Sequence, residues 1–225
     1  FDYGVTDQGV FYYVMELLDG IDLERLVKRF GPQPPARVVY ILAQVCRSLE
    51  DAHRHGLVHR DIKPSNIFLC RMGTEHDFAK VLDFGLAKAM ESSPSGSSAA
   101  ELARSPTLMQ SPTLTAAHGT QLGVILGTAA YMAPEQARGL TVDKRADIWA
   151  FGVVFFEMLT GKRRFEGETV SDTLAAVLRQ EVDWTALPAG TPPAIHHLLR
   201  RCLARSPKSR LRDIGDAVAD LREAS

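Results

Sequence analysis

An α+β fold is predicted for this chain: a small strand-rich start joined to a mainly helical body. Three observations predict it. Residues 1–15 alternate and are rich in aromatic and β-branched side chains, the pattern of paired strands. Apolar residues turn to helical spacing over 22–30 and 35–55, and the chain is mostly helical after Thr141. A strongly apolar helix is expected from about Val142 to Leu159. Strands first and helices after argue for a sheet remnant attached to a helical domain.

Taken in order, the first region breaks at Thr6–Gly9 and reads as a hairpin whose second strand is Val10 to Met15. The pattern turns helical from Asp22 to Phe30, and Gly31–Pro32 stops it. Between Pro35 and His55, residues Val38, Val39, Leu42, Val45, Cys46, Leu49 and Ala52 line one helical face. Pro35 suits the first turn, where its missing N–H would be unpaired anyway. Ile67–Cys70 and Ala79–Leu82 are short apolar patches that read as a second hairpin. Composition then shifts to Ser, Pro, Thr, Ala and Gly over residues 91–121, as expected of a mobile loop. Within it Ser105–Pro106–Thr107–Leu108 is repeated as Ser111–Pro112–Thr113–Leu114, far too short a repeat for a solenoid. Beyond Val142–Leu159, helices are expected around Val170–Gln180, Pro193–Ala204 and Asp213–Glu223.

Composition excludes several classes. With 225 residues, 45% of them hydrophobic, the chain can bury one or two cores and is too apolar for a disordered tail. A formal charge of -1 offers no electrostatic case for a nucleic acid or a membrane surface. Cys46, Cys70 and Cys202 are odd in number and widely spaced, which fits a reducing compartment, and no CxxC pair suggests zinc. His53, His55 and His59 resemble a metal cluster on paper, but no nearby cysteine completes a tetrahedral set. His196 and His197 read as surface or packing residues of a late helix. The longest apolar run, Ile148 to Phe156, falls well short of the ~20 residues a bilayer span needs. A cytoplasmic location is expected, either alone or as the cytoplasmic part of a longer anchored protein. The chain opens on Phe1 in mid-pattern, without a signal peptide, and is expected to be an N-terminally cut fragment.

The chemistry concentrates in one loop. Phosphoryl transfer from a nucleotide needs oxygen ligands for a metal, a carboxylate for the attacking hydroxyl and a cation for developing charge. Asp61, Lys63 and Asn66 supply one of each within six residues, and Asp83 adds a second carboxylate beside Phe84 and Gly85. Asn and Asp oxygens are hard donors suited to Mg²⁺. Each residue alone is as well explained by a surface turn; together they are not.

These residues carry a family resemblance. His59–Arg60–Asp61 with Lys63 and Asn66, then Asp83–Phe84–Gly85, then Ala133–Pro134–Glu135, resemble the signature set of eukaryotic-type (Hanks-type) serine/threonine protein kinases. Two further stretches, Gly127 to Ala137 and Arg212 to Ala217, look like bacterial members. The resemblance covers essentially the whole chain. It implies a protein-kinase-like fold, with residues 1–15 ending the smaller lobe, 16–22 as the hinge and 23–225 as the larger lobe. Residues 83–135 would be the activation segment, lengthened by the insert at about 91–121.

The same resemblance assigns roles. Asp61 would position the substrate hydroxyl, Lys63 would neutralise charge on the transferring group, and Asn66 and Asp83 would hold Mg²⁺, with Mn²⁺ as an alternative ion. Thr128 would contact Lys63 and Asp61. Met15, Glu16, Leu18, Asp22 and Phe68 would surround the nucleoside of ATP: Met15 as gatekeeper, Glu16 and Leu18 through their backbones, Asp22 on the ribose and Phe68 beneath the ring. His59 and Phe84 would be spine elements. Asp147 would accept hydrogen bonds from the catalytic-loop backbone, and Glu135 and Arg210 would form a buried ion pair. Arg60 goes with control by a phosphate, for which Thr107, Thr113, Thr115 and Thr120 are the autophosphorylation candidates. The expected partners are ATP, Ser- or Thr-bearing proteins and a second copy acting in trans.

The given residues contain no Gly-rich loop, strand lysine or partner-helix glutamate, which the family carries before the hinge. The chain alone is therefore expected to be a poor or inactive catalyst. Two readings follow, a piece of a competent kinase or a non-catalytic docking module, and the complete set Asp61, Lys63, Asn66 and Asp83 favours the first.

Overall fold

One helix organises the molecule. Residues Ala146 to Leu159 are all buried, and they belong to a helix, Arg145–Thr160, around which the other helices gather. A helix apolar on every side has no surface to show water and must be the centre of its domain. The computed structural model describes residues 2–6, 8, 10–72, 75–84 and 127–223.

Among these residues five strands and seven helices follow in the order β1 (Asp2–Val5), β2 (Phe11–Val14), β3 (Gly20–Asp22), α1 (Leu23–Phe30), α2 (Pro35–Arg54), β4 (Ile67–Met72), β5 (Glu75–Val81), α3 (Pro134–Ala137), α4 (Arg145–Thr160), α5 (Val170–Arg179), α6 (Pro193–Cys202) and α7 (Ile214–Glu223). Single 3₁₀ turns lie at Pro64–Asn66 and Trp184–Ala186. Strands β1 and β2 form an antiparallel pair, with Tyr3 opposite Tyr13. A second antiparallel sheet has the order β3–β4–β5. No helix among the described residues is long and apolar enough to cross a membrane.

Local chemistry explains the helix limits. Asp22 caps α1 by accepting the Arg25 N–H at 2.7 Å, and Gly31 returns its N–H to the Val27 carbonyl. Helix α4 closes at Gly161, whose φ of 70° is the left-handed conformation that glycine enters without a Cβ penalty. A Cβ there would also fall 2.9 Å from Pro32 Cδ, so this end packs closely on the loop before α2.

Three details differ from the sequence reading. The second hairpin is longer, because its outer residues Arg71, Glu75, His76 and Asp77 are polar and hide the strand from an apolar count. Gly20–Asp22 forms a strand whose partner, β4, lies far along the chain, and nothing local signals that pairing. Helix α4 begins at Arg145, because Asp143 folds back to accept the Arg145 N–H and pairs with its guanidinium.

The core runs through α1, α2, α4, α6 and α7, with Trp149, Phe151, Phe155 and Phe165 among its largest members. Trp149 stacks on Phe165 at 5.6 Å between ring centroids, inside the favourable range for aromatic pairs. Cys46, Cys70 and Cys202 are buried and free. Burial pushes the Cys202 thiol up to about 12, so it packs as a small apolar group.

Candidate active site

The site is built outward from the first turn of α4. Asp147 is 1% exposed, and a carboxylate so buried must be answered by donors. Its Oδ2 accepts the His59 N–H at 2.9 Å and its Oδ1 the Arg60 N–H at 2.7 Å. His53 Nε2 adds a third bond at 2.8 Å. The central helix thus grips the loop backbone immediately before Asp61. The grip holds a costly conformation, since Arg60 has a φ of 66°, a region non-glycine residues enter at about 1–3 kcal/mol.

His59 extends this order to the second carboxylate. Its Nδ1 accepts the Asp61 N–H at 3.2 Å, so the ring proton sits on Nε2 and is donated to the Leu82 carbonyl at 2.8 Å. The same ring meets Phe84 edge-on at 4.8 Å. Asp83 is therefore held from both sides, and at φ 62° it too is a non-glycine residue in the left-handed region. The Leu82 N–H donates to the Asn66 carbonyl at 2.8 Å, which sets Asp83 and Asn66 at the same end of the β4–β5 hairpin.

The candidate reactive groups converge here. Lys63 Nζ donates to Asp61 Oδ2 at 2.8 Å and to Thr128 Oγ1 at 3.0 Å, joining two segments distant in sequence. Asn66 Nδ2 donates to the Asp61 carbonyl at 2.9 Å and to Asp61 Oδ2 at 3.1 Å. Oδ2 of Asp61 is thus occupied by a cation and an amide. Its Oδ1 faces no protein donor among the described residues, and the side chain is 37% exposed. With both amide hydrogens of Asn66 engaged, its oxygen is the atom left for a ligand. Two oxygen donors at one hairpin end, the Asn66 amide and the Asp83 carboxylate, fit a hard divalent cation.

The nucleoside candidates occupy the stretch between β2 and β4. Met15, Glu16 and Leu18 lie in the irregular run 15–19, where Met15 is exposed and Glu16 pairs with Lys80 of β5 at 2.6 Å. Asp22 stands opposite Phe68 in the β3–β4 register. Its carboxylate also caps α1, with Arg25 Nε at 3.3 Å. Gly85, Thr107, Thr113, Thr115 and Thr120 lie outside the described residues.

The end of the candidate activation segment is anchored from below. Glu135 and Arg210 form a two-pronged pair at 2.7 and 2.9 Å, both nearly fully buried. Arg210 also donates to the carbonyls of Ala204, Arg145 and Arg205, so its donors are met, and it lies 5.2 Å over the Trp149 ring.

Sequence reasoning missed two contacts. Gln136 donates to the Arg60 carbonyl at 3.0 Å while accepting the Ala133 N–H at 3.0 Å, clamping α3 to the catalytic loop. Tyr131 donates its hydroxyl to Glu157 at 2.5 Å in the core, where burial pushes both groups up from their ordinary values. Adjacency to Glu135 could have flagged Gln136. Nothing in the sequence links Tyr131 to Glu157.

Residues 3–219 match the family model described as protein kinase domain. The serine/threonine-protein kinase PknB of Mycolicibacterium smegmatis is 35% identical over 215 residues, covering 93% of this chain and 30% of that protein. The serine/threonine-protein kinase pkn3 of Myxococcus xanthus is 36% identical over 212 residues, covering 93% and 35%. The crystal structure of the Mycobacterium tuberculosis PknI kinase domain superposes with a TM-score of 0.66 at 23% identity, over 100% of this chain and 70% of that one, which shows the shared fold. The chain spans about a third of the length of the two kinases it matches.

Proposed function

The chain belongs to the protein kinase family, and from that premise we propose that it carries the catalytic loop of a serine/threonine kinase acting on ATP and protein hydroxyls. The observation that carries the reading is the Lys63 ammonium bridging the Asp61 carboxylate and the Thr128 hydroxyl. That bridge unites a base, a cation and a segment that would flank the acceptor.

The residues divide the work. A substrate Ser or Thr hydroxyl docks on Asp61 Oδ1, the oxygen without a protein donor among the described residues. Its oxygen forms a bond to the γ-phosphorus as the bond from that phosphorus to the β–γ bridging oxygen breaks, and Asp61 takes the hydroxyl proton. Lys63 is fixed on Oδ2 and offers its charge to the transferring group. The backbone grip of Asp147 on His59 and Arg60 keeps Asp61 aligned without reorganisation during the step. Asn66 and Asp83 would hold a divalent cation, which when bound neutralises phosphate charge. Arg60 would answer a phosphate on the activation segment, with Thr107, Thr113, Thr115 and Thr120 as acceptors for a second copy acting in trans.

The test is transfer of label from the γ-position of ATP to a Ser- or Thr-containing protein by the intact protein. Asp61→Asn is expected to lower kcat by about 10²–10⁴-fold, the usual worth of a general base. ATP affinity should stay within about twofold, since Asp61 makes no contact needed by the nucleotide. Transfer at the wild-type rate in the variant would overturn the reading. Loss of ATP binding in the unmodified protein would favour a docking module.

A further inference from the structure

Strand β5 lies at the edge of its sheet, paired with β4 on one side only. The pairing is irregular. Cys70 stands opposite Phe78 and Met72 opposite Glu75, so His76 and Asp77 of β5 have only Arg71 across from them. This is a β-bulge, with one residue more on β5 than on β4. Asp77 has a φ of 61°, the left-handed conformation for which glycine is the usual residue of such a bulge.

Helix α2 holds the bulge from the open edge. Arg37 grips the Asp77 carboxylate with two bonds, Nε to Oδ2 at 2.7 Å and Nη2 to Oδ1 at 2.8 Å. Its Nη1 donates to Gln33 Oε1 at 2.8 Å, and Gln33, itself buried, gives its backbone N–H to the Met158 carbonyl of α4. Gln44, about two turns further along α2, takes the backbone of the bulged strand. Its Nε2 donates to the Asp77 carbonyl at 3.0 Å and its Oε1 accepts the Ala79 N–H at 3.1 Å. The side-chain amide thus stands in for a neighbouring strand on both sides of Phe78.

The bulge decides what reaches the candidate site. Beyond it the register is regular, with Ala79 opposite Leu69 and Val81 opposite Ile67. Leu82 then gives its N–H to the Asn66 carbonyl at 2.8 Å, and Asp83 follows. Without the bulge the strand from Phe78 onward would slip by one residue, about 3.3 Å, and each of its side chains would turn to the other face. Leu82 would lose the Asn66 carbonyl, and Asp83 would leave the level of Asn66. The left-handed backbone of an aspartate works against the bulge, so the bulge needs an outside hold.

We propose that Arg37 and Gln44 are positioning residues of the candidate active site: by fixing the bulge at Asp77 they set the register that brings Asp83 level with Asn66. Both act through β5 and touch none of the reacting groups. Released from them, β5 exchanges between two registers, of which one pairs Asn66 with Asp83. The apparent affinity of that pair for a divalent cation then falls in proportion to the fraction of molecules in the competent register. The effect on metal affinity rests on the proposed kinase reading; the register control does not.

The experiment compares Arg37→Met, alone and combined with Gln44→Leu, with the unmodified intact protein. Hydrogen exchange followed by NMR, without nucleotide or metal, should speed at the Leu82 amide by at least about tenfold, while the buried Leu49 amide of α2 is unmoved. In the transfer assay the Mg²⁺ concentration for half-maximal rate should rise at least about fivefold, and saturating Mg²⁺ should recover the rate. Asp77→Gly loses the carboxylate but takes a φ of 61° freely. Alone it should match the unmodified protein in both readouts, and added to Arg37→Met it should restore them. Unchanged Leu82 exchange in the Arg37 and Gln44 variants, acceleration shared equally by Leu49, or faster Leu82 exchange in Asp77→Gly overturns the register control. Faster Leu82 exchange with an unchanged Mg²⁺ requirement overturns the positioning role. The expected exchange pattern in an intact protein that transfers nothing to Ser or Thr leaves the register control standing and is the failure of the kinase reading instead.

Discussion

Asp61 works only as well as its neighbours hold it. Lys63 and Asn66 both point at Oδ2, which leaves Oδ1 without a protein donor among the described residues. Thr128 steadies the cation from the opposite segment at 3.0 Å. Thr128→Val is therefore expected to lower kcat about ten- to a hundredfold, the rate equivalent of one hydrogen bond to a charged group. Thr128→Ser keeps the hydroxyl and should restore most of it, with KM for ATP unmoved in both. Steady-state kinetics of the two variants decides the point, and equal loss in Ser and Val would remove the hydroxyl from the account. Asp22, which the resemblance places on the ribose, also serves as a helix cap, because the N-terminus of α1 needs an acceptor there.

Elements carry the next level of control. Helix α3 is only Pro134–Ala137, too short to be stable alone, and Gln136 docks it against Arg60. Gln136→Leu loses both amide contacts. Gln136→Glu keeps an acceptor for the Ala133 N–H but sets a carboxylate against the Arg60 carbonyl. If alignment of the loop is what matters, both variants lose about tenfold in kcat, while the Glu variant keeps a melting temperature nearer wild type. A Glu variant with full kcat would show that only the Ala133 contact counts. The α2 helix was legible from its periodicity, since an apolar face repeats every turn, and α4 from an unbroken apolar run. The β3 strand was not, because three residues carry too little pattern and the partner strand is remote.

At the scale of the molecule, buried ion pairs tie distant parts together. Arg210 joins α3, the start of α4 and the loop after α6 through Glu135 and three carbonyls. Truncating one member of such a pair strands the other, at about 3–5 kcal/mol. Arg210→Ala should lower Tm by at least about 6 °C in a chain of this size, with ATP affinity little changed; a wild-type Tm would refute it. Acid stability has a defined direction. Arg145 holds the Asp143 carboxyl, and Lys144 the Asp213 carboxyl, below the ordinary 3.8. The stability they contribute is complete above 3.8 and is lost as pH falls through their lower folded values. Glu157 has the opposite sign: burial raises it above 4.5, so its contribution is present below 4.5 and declines as pH rises through the folded value. Lys144→Met should flatten the acid limb of a Tm profile below pH 3.8 and leave the limb above 4.5 unaltered.

The order of short motifs alone determined the family of this protein and its candidate reactive set. Asp61, Lys63, Asn66 and Asp83 are spaced along the chain, and residue type plus spacing survive in a sequence. Periodicity determined α2, since burial repeats with the turn, and a continuous apolar run determined α4. The tertiary structure decided what answers each buried charge. Asp147 finds His53 and two backbone N–H groups, Arg210 finds Glu135, and Tyr131 finds Glu157, across separations of 26 to 94 residues. A buried polar group must be paired, but any donor or acceptor of the right kind satisfies that demand on paper. Only packing brings one partner within 3 Å.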